Sequence, residues 1–142
     1  MTEAVPPAFW HGVEQFNQQQ YYDCHDTLEA LWMEALEPER TFYQGILQIA
    51  VALYHLGNRN YRGAMILLGE GVNRLRRYSP DYANLNVDAL IDESIDLLSQ
   101  LQQADATQAE AIAARVLGDR PTDSAISSTA LPTIQLVSSM DE

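Results

Sequence analysis

The sequence predicts an all-α protein, a five- to six-helix, partly open bundle built from antiparallel helical hairpins. Three observations predict it. Apolar residues recur at helical spacing through most of the chain. The segments between these stripes are short and marked by Gly, Pro and Asn. No convincing apolar–polar alternation of the strand kind precedes residue 121.

The first helix is expected from about Pro7, a favourable first-turn proline, to Gln18, on the stripe Phe9, Val13 and Phe16. The second covers about Tyr21 to Ala35. At 100° per residue, Tyr21, Cys24, Leu28, Leu31, Trp32 and Ala35 share one arc, and Asp23, Asp26, Thr27, Ala30 and Glu34 lie opposite. "LEPER" interrupts the pattern, with Pro38 able to open the next helix.

The third helix, about Arg40 to Leu56, is apolar nearly all round. Phe42, Ile46, Ile49, Leu53 and Leu56 form one stripe and Leu47, Val51 and Tyr54 cover much of the other side, so this helix belongs at the centre of the fold. Gly57 ends it. The fourth runs from about Tyr61 to Arg76 and carries Gly63, Gly69 and Gly71, each costing roughly 1 kcal/mol against alanine unless close packing or a ligand compensates. "YSPDYANLN" reads as a loop, Asn86 as the cap of a fifth helix with Val87, Leu90, Ile91, Leu98 and Leu101, and a sixth helix follows from about Thr107 to Leu117. Residues 1–120 thus read as the bundle and 121–142 as a mobile, acidic, Ser/Thr-rich tail, in which "TIQLV" is the one stretch able to pair as a strand or dock.

There is also an internal echo. "FNQQQYYDCHDTLEAL" and "LGNRNYRGAMILLGEG" align at a spacing of forty residues, matching Tyr21 with Tyr61, Cys24 with Ala64 and Leu28 with Leu68. It suggests two similar helical hairpins and falls short of a solenoid.

Composition removes several function classes. A net charge of −12 disfavours nonspecific nucleic-acid binding. The longest apolar stretch, "GILQIAVALY", is far shorter than the roughly twenty residues a bilayer span requires. All basic residues are arginines, which excludes Schiff-base chemistry and a P-loop lysine. The single Cys24 and the start "MTEAVPPAFW", without a basic region and apolar run, fit a reducing cytoplasm. Six arginines lie between positions 40 and 77, where Glu70 is the only acid, whereas eleven acids follow from Asp81 onward. Arg74, Arg76 and Arg77 are therefore expected to pair with the acidic C-terminal part, or with Arg59 or Arg62 to take a phosphate or carboxylate.

The candidate site lies where polar residues border apolar stripes. His25 and Glu29 form an i,i+4 pair beside Trp32, and on the third helix Gln44, Gln48 and His55 make one polar line on an otherwise apolar surface. Buried amides and imidazoles are costly unless hydrogen-bonded, so the two lines are expected to face each other across one cleft. Three readings stay open: a structural polar network fixing helix register, a pocket for a small polar or anionic ligand with His25 as acid–base and Glu29 as its orienter, and a metal site of His25, Glu29 and His55. No HExxH or repeated ExxH motif accompanies the last, and no cofactor is indicated. Cys24 reads as a small core residue and His11 as a surface residue.

These segments resemble the bacterial domain-of-unknown-function family 309. That pattern runs through a His-acid-x-x-Glu-x-x-Trp helix, a Gly-x-x-Gln-x-Ala helix ending near a histidine and an Asn-x-x-Gly-Ala helix. It falls here on His25, Glu29, Trp32, Gly45, Gln48, His55, Gly63 and Ala64, over about residues 9 to 103, with Asp26 where glutamate is common. The resemblance implies a small helical bundle found in soluble bacterial proteins and no assigned activity. Two functional hypotheses follow: a small-molecule-handling protein, or a non-enzymatic interaction protein whose polar cluster only holds register. An apolar third helix and a glycine-dotted fourth would suit a homodimer.

Overall fold

The computed structural model describes residues 5–117 and 131–137, and the helices it contains are those the apolar spacing marks out. They are α1 (Pro7–Asn17), α2 (Tyr21–Glu34), α3 (Glu39–Gly57), α4 (Tyr61–Leu75), α5 (Val87–Gln103) and α6 (Ala106–Val116). A 3-10 turn (Arg76–Tyr78) extends α4, and β1 (Asp81–Tyr82) pairs antiparallel with β2 (Leu85–Asn86). No helix among the described residues is long and apolar enough to cross a membrane.

Local chemistry explains the boundaries. Asn60 and Asn86 accept hydrogen bonds from Gly63 N–H (3.0 Å) and Ala89 N–H (2.9 Å), capping α4 and α5, and Asp105 forms a reciprocal capping box with Gln108. The forty-residue echo has a structural counterpart. Gln19 and Arg59, forty apart, both take a left-handed backbone with φ 64°. The next amides close the same six-residue ring, Gln20 N–H to the Gln15 carbonyl and Asn60 N–H to the His55 carbonyl, both at 2.9 Å. One helix ending therefore serves both the α1–α2 and the α3–α4 hairpins.

The "YSPDYANLN" segment is a small hairpin where a loop was expected. Ala83 (φ 52°) and Asn84 (φ 68°) supply its left-handed turn. An Ala-Asn pair lacks the Asn-Gly or Asp-Gly signal, and strands of two residues offer no periodicity to read.

In the packing, α3 contacts α2, α4 and α6, while α1 lies on α2 and α5 on α4. Phe42, Ile46, Ile49, Leu53 and Leu56 of α3 are all buried, as befits a central helix. Phe42 also gathers the rings of Phe9, Tyr78 and Tyr82, with centroids 4.7 to 5.9 Å away. This cluster ties α1, α3 and the hairpin together. Arg59 pairs with Glu110 at 2.7 Å, which fastens α6 to the α3–α4 turn and holds the Glu110 carboxyl below its usual range.

The α3–α4 crossing is close because glycine stands on both sides of it. A Cβ on Gly71 would lie 2.8 Å from the Gly45 carbonyl oxygen and 2.8 Å from Ile49 Cγ1, and one on Gly45 would meet Leu75 at 2.8 Å. Gly63 sits against its own cap, Asn60, and around Gly69 nothing lies within 4 Å. The helix-propensity cost is thus offset by close approach at Gly71 and by nothing comparable at Gly69.

Residues 131–137, within the stretch expected to be a mobile tail, lie against the bundle. Ile134 is 5% exposed, and Leu136 makes an antiparallel bridge to Leu85. Residues 121–130 and 138–142 of that stretch lie outside the described residues.

Two substitutions separate tight from open glycines. Gly71→Ala should lower stability by about 1–3 kcal/mol through overpacking, whereas Gly69→Ala should raise it by about 0.5–1 kcal/mol through helix propensity. Urea unfolding at constant slope measures both.

Candidate functional site

On α2, Tyr21, Cys24 and Leu28 point into the core, which leaves His25 and Glu29 at the edge of the buried face. The His25 side chain is 26% exposed, Glu29 47% and Asp26 59%. Its Nε2 lies 3.8 Å from a Glu29 oxygen, and its Nδ1 lies 3.2 Å from an Asp26 oxygen. The first separation exceeds a hydrogen bond. The second is within range, but Nδ1 is buried without a properly oriented partner. The imidazole therefore feels two carboxylates and is firmly bonded to neither.

The Tyr22 ring stands 5.7 Å from His25 and 5.2 Å from Tyr54 of α3. Both tyrosines are exposed, Tyr22 at 54% and Tyr54 at 39%. They border an open hollow of about 240 Å³, which Asp23, Asn58, Val116 and Leu117 also line. This hollow was not anticipated. Tyr22 lies off the apolar arc of α2, and the contribution of α6 depends on how that helix folds back.

Within the polar line of α3, Gln48 finds its partners on α4. Gln48 donates to Glu70 of α4 at 3.1 Å and accepts from Arg74 at 3.2 Å. The expected pairing of Gln48 with His25 is thus replaced by one across the glycine-lined α3–α4 crossing. Gln44 and His55 are half-buried. The His55 ring lies 6.1 Å from Tyr54, and its carbonyl accepts the amides that end α3. Trp32 is half-buried, with the Arg40 guanidinium 4.4 Å from its ring centre and its Nε1 without a hydrogen bond. The structure brings together His25, Glu29 and Asp26 and places Gln48 in a separate network.

Donor atoms of His25, Asp26 and Glu29 lie within 4.8 Å of one another, the arrangement closest to a metal-ligand set among the described residues. Asp26 stands there in the role expected of His55. Adjacent helical positions point about 100° apart, which is why Asp26 was assigned to the solvent face. The arginine cluster differs as well: Arg74 bonds Gln48 and Arg76 bonds Asn73, while Arg59 does reach the acidic C-terminal part at Glu110.

Cys24 is fully buried, and burial pushes its thiol up to about 12. The neighbouring Tyr21 hydroxyl, buried and without a hydrogen bond, is raised by desolvation and by Cys24. Cys24 is a core residue with no nucleophilic character.

A family profile described as "Domain of unknown function (DUF309)" matches residues 9–67, which covers α1, α2, α3 and the first half of α4. The chain is also similar to "Uncharacterized protein YpuF" of Bacillus subtilis (strain 168), with 31% identity over 85 residues. That alignment covers 58% of this chain and 49% of the relative, so the chain spans about half the length of the curated relative it matches.

The buried pair sets an alkaline limit. Both folded groups hold their protons to higher pH than the unfolded chain does, so their stabilisation is complete below the ordinary thiol range near 9. It should be lost as pH rises from there toward 12, by up to about 1.4 kcal/mol per pH unit for each group. Urea unfolding across that range should show the decline, and Cys24 should resist thiol reagents at pH 8 until the protein unfolds.

Proposed function

The chain belongs to the DUF309 family through residues 9–67, and from that premise we propose that it is a non-enzymatic interaction domain whose α2–α3 face receives a cationic group of a partner. The observation that carries this reading is the hollow at that face, where Tyr22 and Tyr54 form an aromatic wall beside Asp23, with the carboxylates of Asp26 and Glu29 outside it, one and nearly two turns further along α2. Aromatic faces attract lysine and guanidinium groups, and carboxylates at the rim steer them. Each exposed contact of this kind is worth about 0.5–1 kcal/mol, so the partner must offer several basic residues.

The polar residues do not converge in the way catalysis needs. A general base acts within hydrogen-bond reach of its proton and is oriented by a partner at similar range. Here His25 is 3.8 Å from Glu29, and Gln48 is engaged with Glu70 and Arg74. The acid–base reading of His25 and Glu29 with a small polar or anionic ligand would need that geometry to tighten on binding. A second reading, a divalent cation held by His25, Asp26 and Glu29, is favoured by the 4.8 Å grouping of their donor atoms.

Titration with an arginine-rich hexapeptide, followed by backbone and side-chain NMR shifts, separates these readings. The interaction reading expects salt-sensitive shifts at Tyr22, His25 and Tyr54, reduced at least threefold in affinity by Tyr22→Ala and by Asp26→Asn. Shifts at His25 with zinc or manganese alone, and none with the peptide, would replace it with the cation reading.

A further inference from the structure

The segment Leu131–Val137 is held by contacts that read an extended backbone. The Asn17 side chain, at the end of α1, donates to the Ile134 carbonyl at 2.9 Å and accepts from the Ile134 N–H at 2.7 Å. A single amide thus imitates one residue of a neighbouring strand. The β1–β2 hairpin continues the pairing. Asn86 N–H donates to the Gln135 carbonyl, Val137 N–H donates to the Asn84 carbonyl, both at 2.8 Å, and Leu85 bridges Leu136. Glu93 of α5 accepts from Thr133 N–H at 3.0 Å and from the Gln135 amide at 2.8 Å. Only Pro132 and Ile134 are buried, whereas Thr133, Gln135, Leu136 and Val137 are exposed.

This is strand addition to a sheet edge, in which backbone bonds supply the affinity and one side-chain pocket supplies the selectivity. The seat belongs to α1, the hairpin and α5, and Ile134 joins the hydrophobic core where it docks. The route by which the segment arrives is also generous. The chain leaves α6 where Gln19 donates to the Arg115 carbonyl, and it returns at Asn17, two residues away in α1. Residues 118–130 join these neighbouring points, although an extended segment of that length reaches about 40 Å or more.

We propose that Leu131–Val137 is an exchangeable strand, and that the seat formed by Asn17, the β1–β2 hairpin and Glu93 accepts it from a second copy of the chain. The second copy is the occupant because it carries the one segment known to fit, on a connection long enough to cross between molecules. A short connection corresponds to an effective concentration of about a millimolar, so the intramolecular form prevails in dilute protein and the exchanged dimer forms as concentration approaches that value. The net charge of −12 opposes association, so salt should promote the dimer. The inference stands on different contacts from the cationic-partner reading, which concerns Tyr22, Tyr54 and the carboxylates of α2.

Complementation tests it with full-length chains. Ile134→Asp spoils the segment and leaves the seat, whereas Asn17→Ala with Glu93→Ala spoils the seat and leaves the segment. In sedimentation velocity at several hundred micromolar, each variant should be monomeric alone, and an equimolar mixture should form dimer containing one of each. A mixture that stays monomeric would overturn the proposal. A second measurement does not depend on how the variants fold: excess synthetic peptide of residues 131–137 should convert wild-type dimer to monomer, at least tenfold more effectively than the same peptide with aspartate at the Ile134 position. Wild type that remains monomeric throughout, or a dimer indifferent to the peptide, would overturn it equally.

Discussion

The close crossing of α3 over α4 governs the arrangement of this molecule. Gly45 and Gly71 let the two backbones approach until side chain and carbonyl fill all the space a methyl group would need. That approach presses Ile49 and Leu75 into contact with backbone and buries the long apolar stripe of α3. Interiors packed to crystal-like density do not slide, so the crossing also fixes which way the rest of α3 faces.

The division of the polar residues follows from that orientation. With one flank of α3 committed to α4, Gln48 is drawn between Glu70 and Arg74. The other flank is left to α2, where Tyr54 meets Tyr22, and Tyr22 in turn meets His25. Two chemically different edges result: an amide–ion network on one side and an aromatic, acid-rimmed hollow on the other. A binding role suits the second edge because its groups are exposed, aromatic and anionic, while a catalytic role would require them to close on a substrate.

Much of this was legible in the sequence, and the limits have physical causes. The six helices, the central place of α3 and the cap at Asn86 all rest on local periodicity and local hydrogen bonding, which a sequence displays directly. The forty-residue echo even foretold paired hairpins, although the left-handed Gln19 and Arg59 that make them alike carry no glycine signature. The partner of Gln48 could not be read. A helical wheel shows that Gln48 lies on a stripe but not which neighbour covers it, and the deciding contact is between two glycines far apart in the chain. The seat for Ile134 was hidden for the same reason, since Asn17 and Glu93 have no local feature that marks them as strand partners.

The central claim is that His25 and Gln48 belong to separate networks on opposite flanks of α3. A double-mutant cycle measures this directly, using urea unfolding of His25→Ala, Gln48→Ala and the double variant. Separate networks predict additive effects, with a coupling energy below about 0.5 kcal/mol. A coupling above about 1 kcal/mol would mean that the two side chains share one cluster, and it would contradict the account.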